Sequence, residues 1–222
     1  MCGDILRRPK EWGYVCPGCR RLLSYVEPPV CLKCGKHIEN EEQEYCDDCR
    51  SVPKHFIRGY PVFVYDGALR DSVIAFKYKN KREFADFYAE EIVKKYGDAL
   101  KALDAEGVIP VPIHRSRFRR RGYNQAELLA KGISKRLKIP CYSRELYRVE
   151  KTHVQKTLND KERQKNIKNA FKRKRNGVKL NRIILVDDIY TTGSTIEACT
   201  RVLLNTGAEQ VYYISICIGQ GR

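Results

Sequence analysis

Two adjacent carboxylates, Asp187 and Asp188, stand a few residues ahead of a run of hydroxyls around one glycine, Thr191-Thr192-Gly193-Ser194-Thr195. Paired carboxylates accept hydrogen bonds from the vicinal hydroxyls of a sugar. A turn of this kind that opens a helix presents unpaired backbone N–H groups and a positive dipole end to a phosphate. Tyr190 leads from the carboxylates into the turn, so the string has the parts of a sugar-phosphate site. The plain alternative is a solvated strand end followed by an ordinary helix cap; the joining of both halves behind the apolar run Ile183-Ile184-Leu185-Val186 favours the site. No GxxxxGK[ST] or GxGxxG string occurs, which argues against a triphosphate loop and a dinucleotide fold.

The second set of chemical residues is the cysteines, ten in all, six of them in the Cys-x-x-Cys pairs Cys16/Cys19, Cys31/Cys34 and Cys46/Cys49. Each pair forms a tight turn that can offer two thiolates to one tetrahedral ion, and Cys31, Cys34, Cys46 and Cys49 complete a structural zinc ribbon by themselves. Four thiolates leave no open coordination position, so the module reads as a structural or partner-binding element. In a reducing compartment this spacing means metal rather than disulfides. No stretch of about 18 apolar residues exists, no leader pattern precedes Cys16, and the expected location is cytoplasmic. Cys141, Cys199 and Cys217 lie in apolar settings and read as core residues.

The elements that must position these groups follow from periodicity. Residues 183–186 form a short β-branched run, the pattern of a strand buried on both faces of a parallel sheet, which places Asp187 and Asp188 at its carboxyl end. Ligands bind at that end in open α/β sheets. Ile196, Cys199, Val202 and Leu203 then have helical spacing that stops at Gly207. Further strands are expected at 60–65, 107–111 and 211–217, with helices at 68–77, 82–103 and around Leu128 to Leu137. Alternating strands and helices with right-handed crossovers predict an α/β parallel sheet covered on both faces. A boundary near residues 51–58 divides the chain into a cysteine-rich module, 1–55, and an α/β domain, 56–222.

Charge is concentrated. The formal net charge is +16, yet residues 113–182 hold 23 Lys and Arg against 5 Asp and Glu, while the other 152 residues hold 20 against 22. Within that belt, the expected loop from Arg115 to Gln125 carries Arg115, Arg117, Arg119, Arg120 and Arg121, whose guanidinium forks suit a polyanion. Residues 147–175 are polar and basic, consistent with a loop that closes over a ligand. Lys172, Arg173, Lys174 and Arg175 precede Asn176-Gly177 as an expected hairpin turn and are candidates for a nucleic-acid backbone, with Tyr123, Tyr142 and Tyr147 as stacking candidates. His114 reads as structural; His37, His55 and His153 have no evident partner.

The string IILVDDIYTTGST resembles the phosphoribosyl-pyrophosphate signature of type I phosphoribosyltransferases. The segment from Val111 to Ala130, with Arg121-Gly122-Tyr123-Asn124-Gln125 inside it, resembles a motif of the ComF competence family. The spacing of Thr152, Gln155, Leu158, Arg163, Asn166 and Ala170-Phe171 is similar to the same family. The resemblance implies a parallel sheet of the type I phosphoribosyltransferase kind with a small N-terminal zinc-ribbon module. It implies that Asp187 and Asp188 face the ribose, that Tyr190 to Thr195 hold the 5′-phosphate, and that Arg115, Arg121 and Asn124 face the diphosphate. Implied ligands are phosphoribosyl pyrophosphate with Mg2+ and a structural Zn2+; implied partners are single-stranded DNA and a helicase-type competence protein. The family carries a double ribbon, and Cys2-Gly3 looks like the second half of a knuckle beginning before Met1, which gives a second site with Cys2, Cys16 and Cys19. The alternative is that Cys2 is a free thiol and the 16/19 pair a vestige.

Overall fold

The computed structural model describes residues 15–149 and 170–219; Cys2, His153 and the motif positions from Thr152 to Asn166 lie outside the described residues. Six strands are found there: β1 (Gly59–Val64), β2 (Gly107–Pro110), β3 (Leu146–Arg148), β4 (Phe171–Arg173), β5 (Arg182–Tyr190) and β6 (Gln210–Ile218). The helices among the described residues are α1 (Pro17–Arg21), α2 (Asp47–Ser51), α3 (Gly67–Tyr78), α4 (Phe84–Lys101), α5 (Arg115–Arg121), α6 (Gln125–Leu137) and α7 (Ser194–Leu204).

β1, β6, β5 and β2 lie side by side in that order, all parallel, as the alternation of elements predicts. β5 is central and buried on both faces. Ile184 and Val186 pack with Leu69, Phe76, Phe87 and Leu129 from α3, α4 and α6. Ile183 and Leu185 point the other way, into a cluster with Cys199 of α7 and with Cys31, Cys34 and Cys46. A strand covered on both sides gains nothing from polar alternation, so its sequence reads as one apolar run.

The cysteine-rich module shares this second core and is stitched to the sheet. Val26 N–H donates to Val62 O at 2.9 Å and Val64 N–H to Ser24 O at 2.9 Å, which lays residues 24–26 antiparallel along the outer edge of β1. Behind that edge, Glu91 of α4 is 2% exposed and takes both Arg20 Nη1 at 2.9 Å and Tyr25 Oη at 2.5 Å. Residues 140–142 cover the opposite edge through bonds to both polar groups of Val108, so neither side of the sheet offers a bare row of amides.

Three expectations need correction. β5 does not stop at Val186 but runs on through both aspartates to Tyr190, because β6 continues to pair with it as far as Ile218. The expected loop at 115–121 is a helix, started by the His114 ring, which accepts from Ser116 N–H at 3.2 Å, and stopped by Gly122 at φ 77°. Lys172 and Arg173 lie on β4 rather than in a turn, which tightens only at Lys174 to Gly177. No helix among the described residues is long and apolar enough to cross a membrane.

Candidate functional site

The pairing pattern opens the sheet at the aspartates. β2 ends its ladder at Pro110 opposite Val186, so from Asp187 onward β5 has, among the described residues, a paired strand on one side only. Strand alternation then sends the two carboxylates to opposite faces. Asp188 Oδ2 meets Nζ of Lys77, from the last turn of α3, at 2.9 Å, with both side chains mostly covered. Asp187 lies within electrostatic reach of Arg148 on β3 and uses Oδ1 to accept the Asp188 N–H at 2.9 Å. Burial and the neighbouring Asp188 charge push the Asp187 carboxyl up to about 7, against the pull of that N–H, Lys77 and Arg148. Asp187 therefore titrates near neutrality, in the range where a bound cation or ligand can shift it.

Beyond Tyr190 the chain turns into α7. Thr191 and Thr192 are exposed, and Gly193 caps the helix at φ 73°, ψ 3°. Thr192 Oγ1 lies 2.8 Å from Ser194 Oγ and accepts the Ser194 N–H at 3.4 Å; Thr195 sits half-exposed in the first turn. Glycine is required at 193 on two counts. The left-handed backbone is one; the other is Tyr190, whose Oη would stand 2.2 Å from a Cβ added there. Tyr190 is itself held from below, stacked on Tyr213 with centroids 4.8 Å apart and planes 7° apart, and with Phe56 edge-on at 6.2 Å.

The linker after the cysteine module reaches the same loop. Lys54 Nζ donates to Thr192 O at 3.1 Å, and His55 meets Glu197 twice, through its backbone N–H at 2.8 Å and its ring Nδ1 at 2.5 Å. His55 thus has a partner after all, 142 residues away in sequence, where no local signal could reveal it. These contacts and the Arg201 guanidinium hold the Glu197 carboxyl below its ordinary range despite burial. Lys77, Lys54 and Arg148 are the other site residues that spacing did not single out.

The expected anion-binding residues divide. Arg115, Arg117, Arg119 and Arg120 are exposed on α5, the helix that follows β2; Arg117 lies within electrostatic reach of Arg148, and Arg120 lies over the Tyr78 ring at 5.4 Å. Arg121 is pinned instead: Nη1 donates to Gln125 Oε1 at 2.9 Å, Nη2 to Tyr78 Oη at 2.8 Å, and the guanidinium lies 4.6 Å from the Tyr78 ring centre. Asn124, expected to face the diphosphate, has another task. Buried as the N-cap of α6, it donates Nδ2 to Val111 O at 3.0 Å and accepts Ala126 N–H at 3.2 Å, tying the helix to the end of β2. Among the nucleic-acid candidates, Lys172, Lys174 and Arg175 are exposed, whereas the Arg173 side chain is 6% exposed, 3.5 Å from buried Glu145 and bonded to Thr206 O at 3.1 Å. Tyr147 is exposed; Tyr123 is buried, its hydroxyl donated to Phe76 O.

Cys31, Cys34, Cys46 and Cys49 bring their sulfurs within 4.8 Å of one another, with all but Cys49 buried. The Sγ atoms of Cys34 and Cys46 are 3.6 Å apart. Four sulfurs about 2.3 Å from a tetrahedral zinc are separated by about 3.8 Å, so the cluster fits that ion. Cys16 and Cys19 repeat the knuckle turn: Cys16 Sγ accepts Cys19 N–H at 3.4 Å, as Cys31 Sγ accepts Cys34 N–H at 3.5 Å. The ligand they would share with Cys2 lies outside the described residues.

A parallel sheet ending in an open acidic pair and a hydroxyl-rich helix start, with a cysteine ribbon docked beneath, defines a phosphoribosyltransferase-type domain joined to a zinc ribbon. Family models agree: the phosphoribosyl transferase domain matches residues 124–220 and the double zinc ribbon domain residues 1–50. Competence protein F of Haemophilus influenzae is 31% identical over 202 residues, covering 89% of this chain and 87% of that protein. DNA utilization protein YhgH of Escherichia coli K12 is 28% identical over 210 residues, 93% of this chain and 91% of its own. Competence protein ComFC of Bacillus subtilis is 28% identical, covering 91% of this chain and 82% of its own. The chain belongs to the ComF family of competence proteins.

Proposed function

We propose that this protein binds phosphoribosyl pyrophosphate or a related sugar phosphate at the β5–α7 turn and serves the handling of single-stranded DNA taken up in natural competence, in the cytoplasm. The observation that carries the ligand class is the juxtaposition of Asp187 and Asp188 on the open flank of β5 with the Gly193-capped start of α7. The carboxylates accept the ribose hydroxyls, the amides of residues 192–195 and the helix dipole take the 5′-phosphate, and exposed arginines of α5, Arg115 among them, face the diphosphate. Asp187 and Asp188 are hard oxygen donors suited to Mg2+ arriving with the diphosphate, where the ion would neutralise charge. The DNA role rests on the names of the relatives and on the basic belt, with a helicase-type partner docking on the zinc module.

A second reading, a nucleobase phosphoribosyltransferase of salvage, is favoured by the same acidic pair; a ligand sensor without turnover is its non-catalytic form. Diphosphate release from phosphoribosyl pyrophosphate, with Mg2+ and a panel of nucleobases, separates them. Release that requires one base and is lost in Asp188→Asn establishes a transferase. Saturable binding without release with any base supports the ligand-binding reading, and absence of binding refutes both.

A further inference from the structure

The cysteine ribbon and the hydroxyl-rich turn are joined by continuous contacts that neither the zinc chemistry nor the sugar-phosphate chemistry requires. Gly35 follows the first knuckle at φ +72°, so close to β1 that an added Cβ would lie 2.5 Å from Pro61 Cδ and 2.9 Å from Gly59 O. Gly59 is equally crowded: a Cβ there would stand 2.2 Å from the Tyr213 ring. These two approaches let the fully buried Tyr213 reach under β1 and donate its hydroxyl to Cys34 O at 2.7 Å. Tyr213 stacks flat on Tyr190, and Tyr190 Oη occupies the space a side chain at position 193 would need. Three links therefore run from Cys34 of the four-cysteine cluster to the helix cap. A second strap, Lys54 to Thr192 O and His55 to Glu197, ties the end of the same module to both sides of that cap.

We infer that the zinc ribbon positions the sugar-phosphate turn, with Tyr213 and Lys54 as positioning residues, so that zinc retention and ligand binding are thermodynamically coupled. The inference rests on the sugar-phosphate reading above. Rings this tightly packed shift as a unit, so loss of the knuckle geometry around Cys34 moves Tyr213, Tyr190 and the Gly193 cap together. Linkage makes the effect reciprocal: whatever the ribbon contributes to ligand affinity, the ligand returns to zinc affinity.

The zinc-loaded full chain is mixed with a chromogenic chelator, and the rate of zinc loss is read with and without saturating phosphoribosyl pyrophosphate and Mg2+; calorimetry on the same sample records whether the ligand binds. The coupling is expected in the off-rate: a tenfold gain in zinc affinity, within the usual range between sites, slows zinc loss about tenfold when zinc association is unchanged. Any direct chelation of zinc by the diphosphate has the opposite sign. Tyr213→Phe keeps the stack but loses the bond to Cys34 O, and Lys54→Met cuts the exposed strap; each should reduce the ratio of the two rates severalfold. A purely structural role would change both rates together and leave the ratio intact. Ligand bound with zinc loss unchanged overturns the inference. No binding by calorimetry refutes the sugar-phosphate reading itself, and the inference falls with it.

Discussion

Gly193→Ala tests the packing of the turn from the inside. The substitution costs about 1–2 kcal/mol for placing an L-residue in the left-handed region at φ 73°. It also drives a methyl to 2.2 Å from Tyr190 Oη and 2.5 Å from Cζ, in a ring that cannot retreat because Tyr213 and Phe56 hold it. Overpacking of this kind costs a further 1–3 kcal/mol, roughly. Gly207→Ala supplies the control, since Gly207 also has positive φ, 102°, yet a Cβ there meets nothing within 4 Å. At about 2–4 °C per kcal/mol for a chain of this size, Gly193→Ala should lower Tm by about 4–20 °C and Gly207→Ala by about 2–8 °C, with the loss in Gly193→Ala about twice that in Gly207→Ala. Calorimetric titration with phosphoribosyl pyrophosphate should show Gly193→Ala weakened at least about tenfold, for a cap displaced by the clash, and Gly207→Ala unchanged. Tyr190→Phe in the Gly193→Ala background removes the closest atom and should recover part of the loss. Equal Tm losses in the two alanine variants, with ligand affinity intact in both, would refute the argument that Tyr190 shapes the cap.

Further outcomes follow from other residues. The Asp187 carboxyl sits near 7 rather than its ordinary 3.8, so its contribution to stability is complete at low pH and is lost as pH rises through that window. Urea midpoints measured from pH 4 to 8 should show a decline that Asp187→Asn removes, while affinity for phosphoribosyl pyrophosphate rises with pH around 7 as the carboxylate forms. Glu91→Ala strands Tyr25 Oη and Arg20 beneath the ribbon and should cost about 2–3 kcal/mol in denaturant unfolding, without loss of zinc stoichiometry. Arg173→Ala should cost about as much by leaving Glu145 buried and unpaired, with little effect on single-stranded DNA binding. Joint replacement of Lys172, Lys174 and Arg175 should spare stability but weaken DNA binding and flatten its salt slope; an unchanged slope removes this face from the interface. Metal analysis should return one zinc per chain if only Cys31, Cys34, Cys46 and Cys49 bind, and two if Cys2, Cys16 and Cys19 form a second site.

The residues that could be read from sequence are those whose neighbours in the chain are also their neighbours in space. The run 183–186, the helix after Gly193 and the Cys-x-x-Cys turns are local patterns, and each appears in the fold within a few residues of its expected place. The arginine segment after β2 reads as a loop, because five like charges suggest solvent, yet it folds as a helix. Its ends are marked by His114 and Gly122, which cap it. Asn124 illustrates a different limit. An asparagine beside a basic run reads equally well as an anion ligand or an N-cap, and only the carbonyl of Val111 at 3.0 Å separates the two. Lys77 beside Asp188, Lys54 beside Thr192 and His55 beside Glu197 were invisible for a simpler reason: each pair is closed by the packing of distant elements, and nothing in the spacing of either partner records it.

Calorimetric titration with phosphoribosyl pyrophosphate and Mg2+ decides whether Asp188 and the α7 cap hold a sugar phosphate. The zinc-loaded chain should bind saturably, and Asp188→Asn should bind about tenfold or more weakly, the range expected for losing hydrogen bonds to a charged acceptor. No binding, or equal binding by the native chain and Asp188→Asn, would contradict that assignment.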